Sequence, residues 1–189
     1  MRLARMNLTG KLLIAMPGMG DPRFEHSVVY ICSHADDGAM GLIINKPSDL
    51  RIKALLEQLN IACSIPIVGE RLVHFGGPVE MSRGFVLHSS DYEANLHSMH
   101  ISSDFSMTAT LDVLEDLASG RGPLNSMVAL GYSGWGPGQL EDEIAMNGWL
   151  TTDASAKLVY DLPDDEKWEA ALATLGVDPL TLSASAGRA

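Results

Sequence analysis

The chain has 189 residues, 46% hydrophobic and 20% charged, a balance that suits one folded domain with a sizeable core and excludes a disordered chain. Its formal net charge is −11, and beyond Gly120 only Arg121, Lys157, Lys167 and Arg188 stand against ten acids, which opposes attraction to a phosphate backbone. No apolar stretch approaches the roughly 20 residues that span a bilayer.

The start carries Arg2 and Arg5, but the apolar run from Leu12 to Met16 is too short for a signal core and Pro17-Gly18 interrupts it. Cys32 and Cys63 give neither a disulfide framework nor zinc spacing, and read as two buried thiols in a reducing compartment. The expectation is a cytoplasmic protein with no membrane partner. Direct nucleic-acid binding would need a local patch drawn from Arg23, Lys46, Arg51, Lys53, Arg71 and Arg83.

In chain order, Lys11 to Met16 reads as a first strand, and a breaker-rich loop from Pro17 to Pro22 follows it. Ser27 to Ser33 and Ala39 to Ile44, either side of Asp36-Asp37-Gly38, read as an antiparallel hairpin. Three strands without an intervening helix argue against a Rossmann-type start. A helix is expected from about Asp49 to Asn60, capped by Ser48 or Asp49, with Ile52, Leu55, Leu56 and Leu59 on one face.

A loop with Pro66 and Gly69 then leads to a short strand, Leu72 to Phe75. The turn Gly76-Gly77-Pro78-Val79 and a strand from Gly84 to His88 come next. Asp91 to Ser98 is polar loop, and Met99 to Ile101 a short edge strand. Thr108 or Thr110 can cap a helix to Ser119 that buries Leu111, Leu114, Leu117 and Ala118, with Gly120 as its C-terminal stop. Met127 to Leu130 reads as a buried strand, Gln139 to Met146 as a helix, Ala156 to Tyr160 as a late strand and Asp164 to Leu175 as a last helix. The whole of 1–189 reads as one domain, with 183–189 a frayed tail.

The richest stretch is Gly131 to Glu141, where four glycines and Pro137 fall within eight residues. As a strand-to-helix turn with Pro137 at the first helical position, it could aim backbone N–H groups at an anion or another backbone. The plainer alternative is a tight corner packed around Trp135 and Trp149. Ser133 lies where a hydrolase nucleophile could stand, yet the G-x-S-x-G pattern fails at Trp135 and every histidine precedes the serine. The P-loop and dinucleotide glycine spacings are absent too. His97-x-x-His100 lacks a third ligand for zinc. Glu141-Asp142-Glu143 suits the first turn of a helix through its dipole. Asp21, Arg23, His26, Asn45 and Lys46 all flank turns, where function concentrates or where turn chemistry alone accounts for them.

Five elements then stand in order: Asp21-Pro22-Arg23-Phe24; His34 with Gly38-Ala39-Met40-Gly41-Leu42; Asn45-Lys46-Pro47; Phe75-Gly76-Gly77-Pro78-Val79; and Gly131 to Glu141. Together they resemble the bacterial AlgH/YqgE family over nearly the whole chain, down to Lys167-Trp168. The resemblance implies an α+β domain with a mostly antiparallel, bifurcated, barrel-like sheet flanked by helices. It also implies, by analogy with a member linked to transcriptional control of alginate production, a regulatory role. The family pattern often has alanine at the place of Ser133, which weakens a nucleophile there.

The expectation is therefore a binding or regulatory protein with a small-molecule or protein partner, no cofactor, and no assigned catalytic or metal residues. A hydrolase-like enzyme using the same groove is the alternative. The groove would draw on Asp21, Arg23, His26, Asn45, Lys46, Gly76, Gly77, Pro78, Tyr132, Gly134, Trp135, Gly136, Gly138 and Gln139. In it Trp135 would be an exposed platform, and Arg23 or Lys46 an anion contact.

Overall fold

A computed structural model describes residues 6–17, 21–93 and 98–186, with side chains described through Leu182. Ten strands form a curled, half-barrel sheet: β1 (Lys11–Ala15), β2 (Val28–Ala35), β3 (Gly38–Ile43), β4 (Pro47–Arg51), β5 (Leu72–Phe75), β6 (Val79–His88), β7 (Ser98–His100), β8 (Ser106–Thr108), β9 (Ser126–Trp135) and β10 (Trp149–Asp153). The helices are α1 (Ile52–Gln58), α2 (Pro66–Gly69), α3 (Leu111–Ser119), α4 (Gln139–Ala145), α5 (Asp164–Ala173) and α6 (Pro179–Ala186). The fold is α+β.

The sheet is organised around β9. Its outer flank pairs with β6 along Ser126 to Leu130 and again at Tyr132. Its other flank changes partner at Gly131, from a short parallel contact with β5 (Ala129 and Leu130) to an antiparallel one with β3 (Ser133 to Trp135). That change of partner is the bifurcation, and among the described residues the β5 contact is the one parallel pairing in an otherwise antiparallel ladder. Gly131 has φ +77, and a Cβ there would come within 2.3 Å of the Gly77 carbonyl.

β1 to β3 are buried on both faces, so their apolar residues run continuously and alternate between two cores. Leu12, Ile14, Val28, Tyr30 and Leu42 face a core closed by α5 through Trp168, Ala171 and Leu172. Leu13, Ala15, Val29, Ile31 and Ile43 face a second core that contains Trp135, Leu140 and Trp149. A third core joins α1 and α3 to β5, β6 and β9.

Several segments differ from the sequence reading, each because strand pairing supplied another outlet for the backbone. Residues 47–51 pair with β5 instead of opening a helix, and Ser48 donates its hydroxyl to Val73 O at 2.6 Å instead of capping. Helix α1 consequently starts at Ile52 with no side-chain cap. Residues 66–69 form the short helix α2 where a loop was expected. The strand expected to stop at Leu130 continues to Trp135, and Gly138 caps α4 with φ +74, which leaves Pro137 outside the helix and not at its first position.

The late strand is also misplaced. Trp149 to Asp153 takes the free edge of β1, and Lys157–Asp161 is a π-helical turn. Gly120 ends α3 in the left-handed region as expected, but Thr110 makes no side-chain cap and Leu111 is exposed, Val113 taking its buried place. Helix α6 covers residues 179–186, part of the expected tail. His97 lies outside the described residues; His100 sits in β7, where Ser106 Oγ is 3.2 Å from its Nδ1.

Candidate binding groove

The Asp21–Phe24 segment and the end of β9 meet in a cavity of about 610 Å³. Asp21, Arg23 and Phe24 enter from a 3₁₀ turn over Pro22–Phe24; Pro78 and Val79 come from the start of β6, and Gly134 and Trp135 from β9. Gln139, Glu143, Met146 and Trp149 come from α4 and the start of β10. The 3₁₀ turn forms because Asp21 accepts from the Arg23 main chain at 3.0 Å while Pro22 stands in the first turn. The Asp21 carboxylate also takes the Arg23 guanidinium through both oxygens, at 3.0 and 2.7 Å, and those bonds hold its pKa below the usual range.

The groove is floored by aromatic rings and one carboxylate. Phe24 meets Trp149 edge to face at 5.8 Å, and Trp149 meets Trp135 the same way at 6.0 Å. Both indole N–H groups donate to Glu143 Oε1, Trp135 at 3.1 Å and Trp149 at 2.9 Å. Gln139, one helical turn earlier, donates to Glu143 Oε2 at 3.0 Å and accepts from Gly136 N through its own carbonyl oxygen. Trp135 is therefore a buried wall, 6% exposed, and not an exposed platform. The corner around Trp135 and Trp149 is the packed alternative realised.

The expected site residues fall into separate groups. Asp21, Arg23, Pro78, Gly134, Trp135 and Gln139 line the groove. Tyr132 lines an adjoining cavity of about 630 Å³ that shares Val79, Gly134 and Trp135 with it. His26, Asn45 and Lys46 line a third cavity, of about 330 Å³, with Trp168 and Asp165. There His26, held at φ +55, packs edge to face on Trp168 at 4.4 Å, and Asn45 bridges Val28 N and His26 O. Lys46 donates to Arg23 O at 2.8 Å, and burial draws its pKa down.

Gly76 and Gly77 serve backbone approach: a Cβ on Gly77 would come within 2.1 Å of the Tyr132 carbonyl carbon. The turn after β9 closes on itself, since Gly136 N donates to Gln139 Oε1 and Gln139 N to Gly136 O. Those groups are not offered to an anion. The groove residues absent from the expected set are Phe24, Val79, Glu143, Met146, Gly148 and Trp149. The i, i+4 spacing of Gln139 and Glu143 was the available signal for one of them.

Ser133 is fully buried and donates to Gly76 O at 3.1 Å, with no histidine bonded to it among the described residues. His34, buried on β2, accepts from Leu8 N through Nδ1 and donates through Nε2 to Glu141, fastening α4 to the sheet. Burial pushes the Glu141 carboxyl up, but its own main-chain N–H and His34 outweigh this and bring it below the usual value. A separate cavity of about 470 Å³ holds His74, Asp164 and Lys167, yet His74 Nε2 is bound to Asp164 and its Nδ1 is buried without a partner.

Among the described residues no group of three or more His, Cys, Asp or Glu side chains is placed to hold a metal, and no helix is long and apolar enough to cross a membrane. The basic residues that a phosphate patch would need are engaged: Arg51 and Lys53 on Glu70, Arg83 on Glu80, Arg71 near Ser126 and Arg23 on Asp21.

The sheet that bifurcates at Gly131 is shared with known proteins, and residues 12–180 match the family model described as DUF179, AlgH-like. The chain belongs to the AlgH-like family. It is 63% identical over 184 residues to a UPF0301 protein of Ruegeria pomeroyi, covering 97% of this chain and 100% of that one. It is 56% identical to a UPF0301 protein of Cereibacter sphaeroides, with the same coverage. The solution structure of the AlgH protein of Pseudomonas aeruginosa superposes with a TM-score of 0.79 at 41% identity over the whole of both chains. A crystal structure of a Corynebacterium diphtheriae protein shares the fold at 19% identity, TM-score 0.73, over 97% of this chain and 93% of that one.

Proposed function

We propose that this AlgH-like chain is a binding protein, regulatory in role, that takes its ligand in the groove between the Pro22–Phe24 turn, the start of β6 and α4. The observation that carries the reading is the shared acceptor: Glu143 Oε1 holds both indoles, so the floor is preformed while Arg23, Gln139 and Met146 stand exposed at the mouth. Preformed, largely apolar concavities with a few convergent polar groups are where small ligands bind. Asp21, Arg23, Pro78, Gly134, Trp135 and Gln139 are the proposed contacts. We place the protein in the cytoplasm, a reading supported by the free thiols of Cys32 and Cys63.

The test is a thermal-shift screen against metabolites, nucleotides and short peptides. A ligand at a hundred times its Kd adds about 2.7 kcal/mol, which raises Tm by roughly 5–10 °C in a domain of this size. A shift lost in Arg23→Ala or Met146→Lys, both at the exposed mouth, places the ligand in the groove. A shift that survives both changes removes the groove from the proposal.

A further inference from the structure

The charge on Glu143 has no cationic partner among the described residues. Its three donors, two indole N–H groups at 3.1 and 2.9 Å and the Gln139 amide at 3.0 Å, are all neutral. The other charged residues lining the groove, Asp21 and Arg23, form a two-point ion pair with one another and cancel. One negative charge is thus left over in a cavity whose other walls include Phe24, Pro78, Val79, Met146 and the margins of two indoles.

Each ligand class meets this arrangement differently. An anion would face the uncompensated carboxylate and gain no free cation. A bare divalent ion requires several oxygen ligands and gets one carboxylate already carrying three hydrogen bonds. A small, strongly hydrated ammonium would shed its water against apolar walls at a cost. An alkylated ammonium spreads its charge over methyl or methylene groups, so it satisfies the carboxylate and the apolar walls together. The chain's net charge of −11 favours its approach.

Resting on the groove being the binding site, we infer that its ligand is an alkylated ammonium, with Glu143 as the counter-charge and Phe24, Trp149 and Met146 as the apolar contacts. Two sources share this chemistry: a free small molecule and a methylated lysine side chain.

The experiment follows tryptophan fluorescence of the wild-type protein titrated with choline and with 3,3-dimethyl-1-butanol, the neutral carbon isostere. The expected result is saturable binding of choline, with the alcohol at least about 10-fold weaker, the factor that 1.4 kcal/mol makes. Glu143→Gln, confirmed folded by its melting curve, should bring choline down to the affinity of the alcohol. A trimethyl-lysine peptide that binds more tightly than choline assigns the protein source, and equal affinity assigns the small molecule. Equal binding of choline and the alcohol to wild type overturns the charge assignment and leaves the groove reading standing. No response to choline, when a screened compound still shifts Tm in an Arg23-dependent way, also overturns the ammonium alone. Silence from choline together with a blank screen removes both.

Discussion

Lys167 donates a 2.9 Å hydrogen bond to Asp164 from a side chain only 4% exposed. Its other two protons go to Ile44 O and Val159 O, each at 2.8 Å, so the ammonium is fully satisfied. On the far side of Asp164, His74 Nε2 lies 3.0 Å from both carboxylate oxygens. This chain of contacts ties α5 to the end of β3, to the Lys157–Asp161 turn and to β5. Removing one member of a buried pair costs about 3–5 kcal/mol, because its partners stay buried and unmatched. Lys167→Met is expected to lower Tm by roughly 6–20 °C in circular-dichroism melts. A melt within about 2 °C of wild type would show that the staple contributes nothing net.

The Asp164 carboxyl gives a pH dependence with a definite sign. Burial pushes its pKa up, but the hydrogen bonds and charges of His74 and then Lys167 outweigh that and hold it below the usual value. A carboxyl with a depressed folded pKa stabilises fully above its unfolded pKa, about 3.9, and loses that contribution as pH falls through the folded value. Asp164→Asn should therefore be less stable than wild type near pH 7, with the gap closing below about pH 4. Asp21, Glu70, Asp91 and Glu141 are also depressed, but they are common to both proteins and cancel in the difference. Urea midpoints from pH 7 to 3 check it; a constant gap would contradict the assignment.

Two glycines with positive φ should behave very differently. At Gly77, φ +154, an added Cβ meets the Tyr132 and Ser133 backbone at 2.1–2.4 Å, where nothing can yield without moving β9. At Gly138, φ +74, it meets nothing within 4 Å. Gly138→Ala is expected to cost about 1–2 kcal/mol, the left-handed penalty alone. Gly77→Ala adds a steric cost and should lose roughly 3–5 kcal/mol. Denaturant titration of both variants distinguishes them, and equal losses would refute the close approach.

Ser133→Ala should be nearly silent. Gly76 O, which accepts the hydroxyl, also accepts Ile43 N at 2.9 Å, so no buried acceptor is orphaned. The expected loss is within about 1 kcal/mol. Rates on an ester panel should be the same for both proteins. A drop in turnover for the alanine variant would restore the serine as a reacting group.

Much of the architecture was legible because local pattern and tertiary outcome agreed. β1 to β3, β5, α3 and α5 follow from apolar runs, a tight turn and helical spacing, and Gly120 stops α3 by backbone geometry that any reader of the chain can foresee. Residues 47–51, 131–135 and 149–153 were not legible as strands. Their composition is polar, glycine-rich or mixed, and only the open edges of β5, β3 and β1 made strands of them.

The site divides in the same way. The sequence by itself determined that polar residues and chain breakers gather at the Asp21–Arg23, Gly76–Val79 and Gly134–Gln139 stretches, since turn chemistry is local. Which of them share a groove was decided by tertiary structure. Asp21 and Arg23 share a cavity with Trp135, while Lys46 is turned to a backbone carbonyl and His26 to Trp168. Glu143 acquired its place only when the curl of the sheet brought β10 beside β1. Its two indole donors lie 14 residues apart on different strands, and no spacing along the chain encodes that they meet on one oxygen.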